Sequence, residues 1–156
     1  MLSNFRRRHF RNTLQIALIG SVVGLAYTSQ AQAEVRRGTF VYEITINLKT
    51  PGLALETASP PTCDASAYHD SSLPTDYSEY GGVKGRFTSA DRTKAKCTVV
   101  ISYFWPDADP TATVELDISA HARNSNGRDR DHYRDLPDVP LPPTNTTTKF
   151  FIHVDL

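Results

Sequence analysis

Apolar and polar residues alternate along four stretches of this chain. Phe40, Tyr42, Ile44, Ile46 and Leu48 take every second position, with Thr39, Glu43, Thr45, Asn47 and Lys49 mostly between them. Cys97, Val99, Ile101, Tyr103 and Trp105 share a second face, with Val100 and Phe104 on its reverse. Val114, Leu116, Ile118, Ala120 and Ala122 alternate with Glu115, Asp117, Ser119 and His121. Phe150, Ile152, Val154 and Leu156 alternate with Phe151, His153 and Asp155. A period of two in β-branched and aromatic residues predicts β-strands. The two middle stretches flank a Pro/Asp-rich link, residues 106–112 (PDADPTA), and that arrangement predicts an antiparallel hairpin.

Between these stretches the pattern weakens. Pro51-Gly52 signals a turn, after which Leu53 and Leu55 suggest a short strand or a lip over the core. Residues 57–82 are poor in aliphatics, and Pro60, Pro61 and Pro74 speak against regular structure through most of them. A long loop is expected there, followed by a short strand over 83–88 with Gly85 as a bulge. Residues 123–135 (RNSNGRDRDHYRD) are almost wholly polar and predict a solvated loop. Residues 136–143 (LPDVPLPP) predict an extended proline-rich connector. No amphipathic helix emerges. Strands with one apolar face must cover that face with another sheet. The expected fold is therefore all-β, a two-sheet antiparallel sandwich of immunoglobulin-like type with one disulfide. One feature departs from true immunoglobulin domains: Trp105 follows the second cysteine instead of lying between the two.

The N-terminal residues change the picture of where such a domain works. Arg6, Arg7, Arg8 and Arg11 precede an apolar core, residues 14–27, and Ala31-Gln32-Ala33 offers a small-x-small cleavage site. That is the layout of a secretory signal peptide over 1–33, leaving 34–156 as a single domain. Arg7-Arg8 also fits a twin-arginine signal, and both export routes stay open. The apolar core is shorter than the roughly 20 residues of a spanning helix, so no permanent membrane anchor is expected. Localisation is read as periplasm, cell surface or extracellular. The leader carries four of the 17 basic residues and none of the 17 acidic ones, so the remainder is acidic by four charges. Such a domain has no basic footprint for nucleic acid. Cys63 and Cys97 are the only cysteines, and in an oxidising compartment they predict one disulfide.

Candidate chemistry is sparse. Tyr68, Tyr77 and Tyr80 lie in the predicted long loop, and Arg128, Arg130 and Tyr133 in the charged one. Large amphipathic rings and alternating charges suit recognition, so these six form the candidate binding set. His69-Asp70-Ser71-Ser72 puts acid–base atom types close together but lacks the G-x-S-x-G elbow of a hydrolase. Asn124, Asn126, Asp129 and Asp131, or Asp107 and Asp109, resemble a loose calcium array without the EF-hand order. No catalytic residue, metal ligand or cofactor is assigned. The leading expectation is an exported, non-enzymatic binding or assembly domain, of fimbrial or adhesive kind, with protein partners or self-association favoured over small molecules. A glycan- or ligand-binding module using the Tyr-rich and Arg/Asp-rich loops is the first alternative, and a small secreted hydrolase the second.

Overall fold

The computed structural model describes residues 33–69 and 76–156. The expected signal peptide, apart from Ala33, lies outside the described residues, as do Asp70, Ser71 and Ser72. The strands are β1 (Glu34–Asn47), β2 (Thr62–His69), β3 (Tyr77–Lys84), β4 (Arg86–Phe87), β5 (Lys94–Ala108), β6 (Thr113–Arg123), β7 (Asp129–Pro140) and β8 (Thr146–Asp155). They make two four-stranded sheets, ordered β4-β5-β1-β8 and β3-β2-β6-β7. The all-β, two-sheet expectation holds, and Cys63 of β2 is bonded to Cys97 of β5, joining the two sheets.

The strongly alternating stretches are strands, but two of them are not a hairpin. β5 and β6 belong to different sheets, and the link between them arches across the core. One edge of β5 is taken along its whole length, and the other is taken at Ala95 and Lys96. β1 pairs with it from Asn47↔Lys94 to Glu34↔Ala108, and β4 lies on the other side. The arch is shaped locally by Asp109, whose Oδ1 accepts the Thr111 N–H at 2.9 Å and the Thr111 hydroxyl at 2.7 Å. Alternation marks a strand and its buried face, but says nothing about which strand lies beside it.

Two expected loops are strands as well. β2 runs through the predicted loop 57–82 as a central strand between β3 and β6. Its inward positions are Cys63, Ala65, Ala67 and His69, all buried, and they are too small or polar to read as an apolar stripe. Pro60 and Pro61 lie just before it. β7 occupies the polar run and the start of the proline segment, pairing antiparallel with β6 from Arg123↔Asp129 to Thr113↔Pro140. Its register shifts opposite Val114 and Leu116, which is where Pro137 falls. An edge strand with a bulge is the place in a sheet that accepts proline. The pairing is also not antiparallel throughout: β1 and β8 run parallel, in unbroken register from Gly38↔Thr146 to Asn47↔Asp155.

The core follows from these faces. Phe40, Tyr42, Ile44 and Ile46 of β1 meet Val114, Leu116, Ile118 and Ala120 of β6 in one apolar cluster. Trp105 is fully buried, with its ring 4.5 Å from that of Tyr103 and 6.3 Å from that of Phe40. Leu55 is fully buried and closes one end as the expected lip, its N–H donating to Arg92 O at 2.9 Å. Gly85 marks the crossing from β3 to β4: its N–H donates to Pro61 O at 2.6 Å, and a Cβ there would lie 3.1 Å from the Cys97 sulfur.

Two measurements test this packing. Replacing both cysteines by alanine removes a bridge that spans 34 residues, and the unfolding free energy should fall by about 3–4 kcal/mol in a urea titration. At Gly38 a Cβ would meet the Thr146 carbonyl oxygen and the Tyr103 hydroxyl, each at 2.6 Å. Because one of those atoms is backbone of β8, Gly38→Ala should destabilise the domain by about 1–3 kcal/mol in the same assay.

Candidate functional site

On the outer face of the β3-β2-β6-β7 sheet, strand pairing sets side chains in rows. Tyr80 of β3, Ser66 of β2, Asp117 of β6 and Asp135 of β7 form one row. Gly82, Asp64, Ser119 and Tyr133 form the next. Ser78, Tyr68 and Glu115 form a third. Small and acidic residues along the two inner strands, with Tyr80 and Tyr133 on the two outer strands and Tyr68 near the end of β2, leave a groove of about 210 Å³. It is lined by Tyr68, Tyr80 and Tyr133 around Asp64, Ser66, Asp117 and Ser119. A Cβ at Gly82 would meet the Asp64 carboxylate, which would have to shift to admit it.

Carboxylates hold the rings over the groove. The Tyr80 hydroxyl donates to Asp64 Oδ1 at 2.6 Å, and that bond is the main reason its pKa is raised. Tyr133 is pushed up to about 12, first by desolvation and then by its hydrogen bond to Asp135 and the charge of Asp117. Yet the Tyr80 and Tyr133 side chains remain 70% and 64% exposed, so their ring faces are open to solvent. Asp117 and Asp135 stand directly opposite each other on neighbouring strands, an arrangement of like charges that destabilises a sheet. Desolvation first, and Asp135 second, raise the Asp117 pKa above the ordinary carboxylate value, while hydroxyl donation from Tyr133 and Ser66 opposes the rise.

Beyond one end of the groove, His121 Nδ1 lies 2.7 Å from Asp131 and its Nε2 lies 3.9 Å from Asp64. His121 and Asp131 border a second hollow of about 320 Å³ with Ser59, Thr62 and Arg123.

The six sequence-predicted binding residues are thus divided. Tyr68, Tyr80 and Tyr133 come together, from two segments separated by more than fifty positions in the chain. Tyr77 turns inward instead, its ring 6.1 Å from that of Trp105 and nearly parallel to it. Arg128 lies in the β6–β7 turn, where its N–H donates to Asn124 Oδ1 at 3.1 Å. Arg130 is opposite Ala122, on the inward side of β7. Asp64, Ser66, Asp117 and Ser119 were not singled out by sequence, and Asp135 only as part of the charged run. The polar positions of the β6 alternation carried the signal for Asp117 and Ser119 alone.

The other candidates have structural placements. His69 is fully buried against Trp105 and Tyr77, with Nε2 3.3 Å from Asp109 O. His132, part of the charged run of residues 123–135, is half-buried on the inward row of β7. Asn124 Oδ1 accepts the Asn126 and Arg128 N–H groups at 3.1 Å each, and so organises its own turn. Asp109 Oδ1 does the same for the β5–β6 arch. Compared with known proteins, the chain matches no family model, no curated protein and no solved structure.

The Asp117 shift has a pH signature. Unfolded, the group ionises at its ordinary value of 3.8; folded, it ionises at a higher pH. Between those two values the folded chain holds the extra proton, so this group's contribution to stability falls as pH rises through the window. Across this window the melting temperature of the wild type should fall more, or rise less, than that of Asp117→Asn, since the lowered pKa values of Glu43 and Asp91 act in the opposite sense. The variant's melting temperature at neutral pH should be no lower than that of the wild type.

Proposed function

We propose that the chain is an exported, non-catalytic recognition domain that binds a polyhydroxylated ligand, a glycan, on the outer face of the β3-β2-β6-β7 sheet. One observation carries this reading. Two exposed tyrosines from opposite edges of the sheet lean over a single shallow groove, their hydroxyls tied to carboxylates and their ring faces open. A sugar ring presents an apolar C–H face that stacks on an aromatic ring, and hydroxyls that donate to carboxylates and exchange bonds with serine. The groove supplies both sets of partners. Its carboxylates, Asp64 and Asp117, with Asp135 beside Asp117 on β7, disfavour a polyanionic ligand and favour a neutral or amino sugar.

Export rests on the basic, apolar and small-x-small order of residues 1–33, together with the disulfide. Periplasm or cell surface is the proposed location. The sequence weighted a protein partner above a small molecule, whereas a groove of this size and polarity favours the glycan. The immunoglobulin-like part of the fold reading rests on two features, a bridge between sheets and a buried tryptophan. The strand order β4-β5-β1-β8 over β3-β2-β6-β7 lends it no further support.

The test is a glycan-array screen of the protein, followed by calorimetry on the best neutral or amino sugar. Tyr80→Ala and Tyr133→Ala should each weaken binding by about tenfold, the scale of one lost stacking contact. The melting temperature should stay near that of the wild type. Binding that is unchanged in both variants, or confined to sulfated and sialylated glycans, would contradict this assignment.

A further inference from the structure

Among the described residues the two sheets end in the edge strands β4, β8, β3 and β7, and three of these are short, interrupted by glycine or interrupted by proline. β4 is two residues long and covers β5 only at Ala95 and Lys96. β3 has Gly81 and Gly82 at its middle. β7 contains Pro137 and Pro140 and a register shift. Short edges, prolines and irregular register are the devices by which sheets avoid edge-to-edge association. The fourth edge has none of these. β8 is ten residues long, without proline, glycine or bulge, and it keeps continuous register with β1 along its whole length. It also presents Phe151, 71% exposed, on its outer face.

We propose that β8 is a self-association edge. It pairs antiparallel with β8 of a second copy about a two-fold axis at Ile152, which extends the β4-β5-β1-β8 sheet to eight strands. The side chains select this register. Inward residues must face inward ones, since a slip by one residue would turn Phe150, Ile152 and Val154 outward. Of the remaining registers, centring on Ile152 sets Lys149 opposite the partner's Asp155, twice by symmetry. It also sets Phe150 opposite the partner's Val154, and Phe151 opposite the partner's His153. The two Phe151 rings then become diagonal neighbours, within aromatic reach across the axis. Sliding by two residues one way sets Lys149 opposite the partner's His153; sliding the other way sets Phe151 opposite the partner's Asp155. Only the central register joins opposite charges. The Asp155 side chain is 57% exposed; it already pairs with Lys49 at 3.5 Å and accepts from Asn47 Nδ2 at 3.2 Å, so the partner's lysine joins an existing cluster. An isologous pairing of this kind closes on itself and does not propagate into fibres. It leaves the opposite sheet of each copy uncovered, so a dimer carries two glycan grooves and gains from multivalency.

Sedimentation velocity on protein expressed from the full chain, over a wide concentration range, tests the edge. Wild type should dimerise. Lys149→Asp alone and Asp155→Lys alone place like charges opposite each other, and each should raise the dimer dissociation constant at least about tenfold. An equimolar mixture of the two variants restores both opposite-charge pairs and should dimerise again. Phe151→Asp, at an exposed position, should also be monomeric with an unchanged circular-dichroism spectrum. A wild type that is monomeric throughout would overturn the proposal. So would single variants that dimerise as tightly as wild type, or folded variants whose mixture stays monomeric.

Discussion

Two long strands with matching apolar faces, β5 and β6, lie on opposite sides of the core, and the rest of the molecule is arranged around that opposition. Each buries its face only if something covers it, and burying one large apolar side chain is worth about 1.5–3 kcal/mol. β1, equally long and equally apolar, takes the edge of β5 that a hairpin would have used. β6 then builds the second sheet by pairing with β2 and β7. The Cys63–Cys97 bridge ties the two sheets together at the point where β2 faces β5. It narrows the space there, and the small inward residues Ala65 and Ala67 and the glycine crossing at Gly85 are consistent with that narrowness.

The same opposition produces the candidate site. With its inner face committed to the core, the β3-β2-β6-β7 sheet leaves a polar outer face on which register alone decides which residues meet. Tyr80 and Tyr133 are brought over Ser66 and Ser119 because β2 and β6 are neighbours between β3 and β7. The electrostatics there run against stability: Asp117 and Asp135 face each other, and Asp117 is held above its ordinary pKa by desolvation and by that neighbour. An arrangement that costs stability on an exposed face, beside open aromatic rings, fits recognition better than scaffolding.

Strand legibility depended on side-chain size. Phe40 to Leu48, Cys97 to Trp105 and Val114 to Ala122 were plain because bulky apolar residues mark every second position, and all of them are buried. β2 was hidden because its inward row is Cys63, Ala65, Ala67 and His69, which carry little hydrophobic signal yet fill a narrow space. β7 was hidden because it is an edge strand whose alternating residues are charged, and whose prolines are tolerated only at a bulge. The disulfide was legible because two cysteines admit one pairing. Of the six candidate binding residues, Tyr68, Tyr80 and Tyr133 share a face, while Tyr77 packs against the core and Arg128 and Arg130 lie elsewhere, a grouping that strand order decides and local pattern does not.

By itself, then, the sequence determined the class: strands with one apolar face, too few helical patterns for anything but sheets, and a single possible bridge. These are local properties, set by side-chain periodicity and by the chemistry of two thiols. Tertiary structure alone decided that β5 and β6 arch across the core, that β1 and β8 run parallel, and that three tyrosines from distant segments roof one groove. Each of those is a choice of partner between strands whose local patterns are interchangeable. Partner choice is settled by which edges and faces are still free once the longest strands have paired.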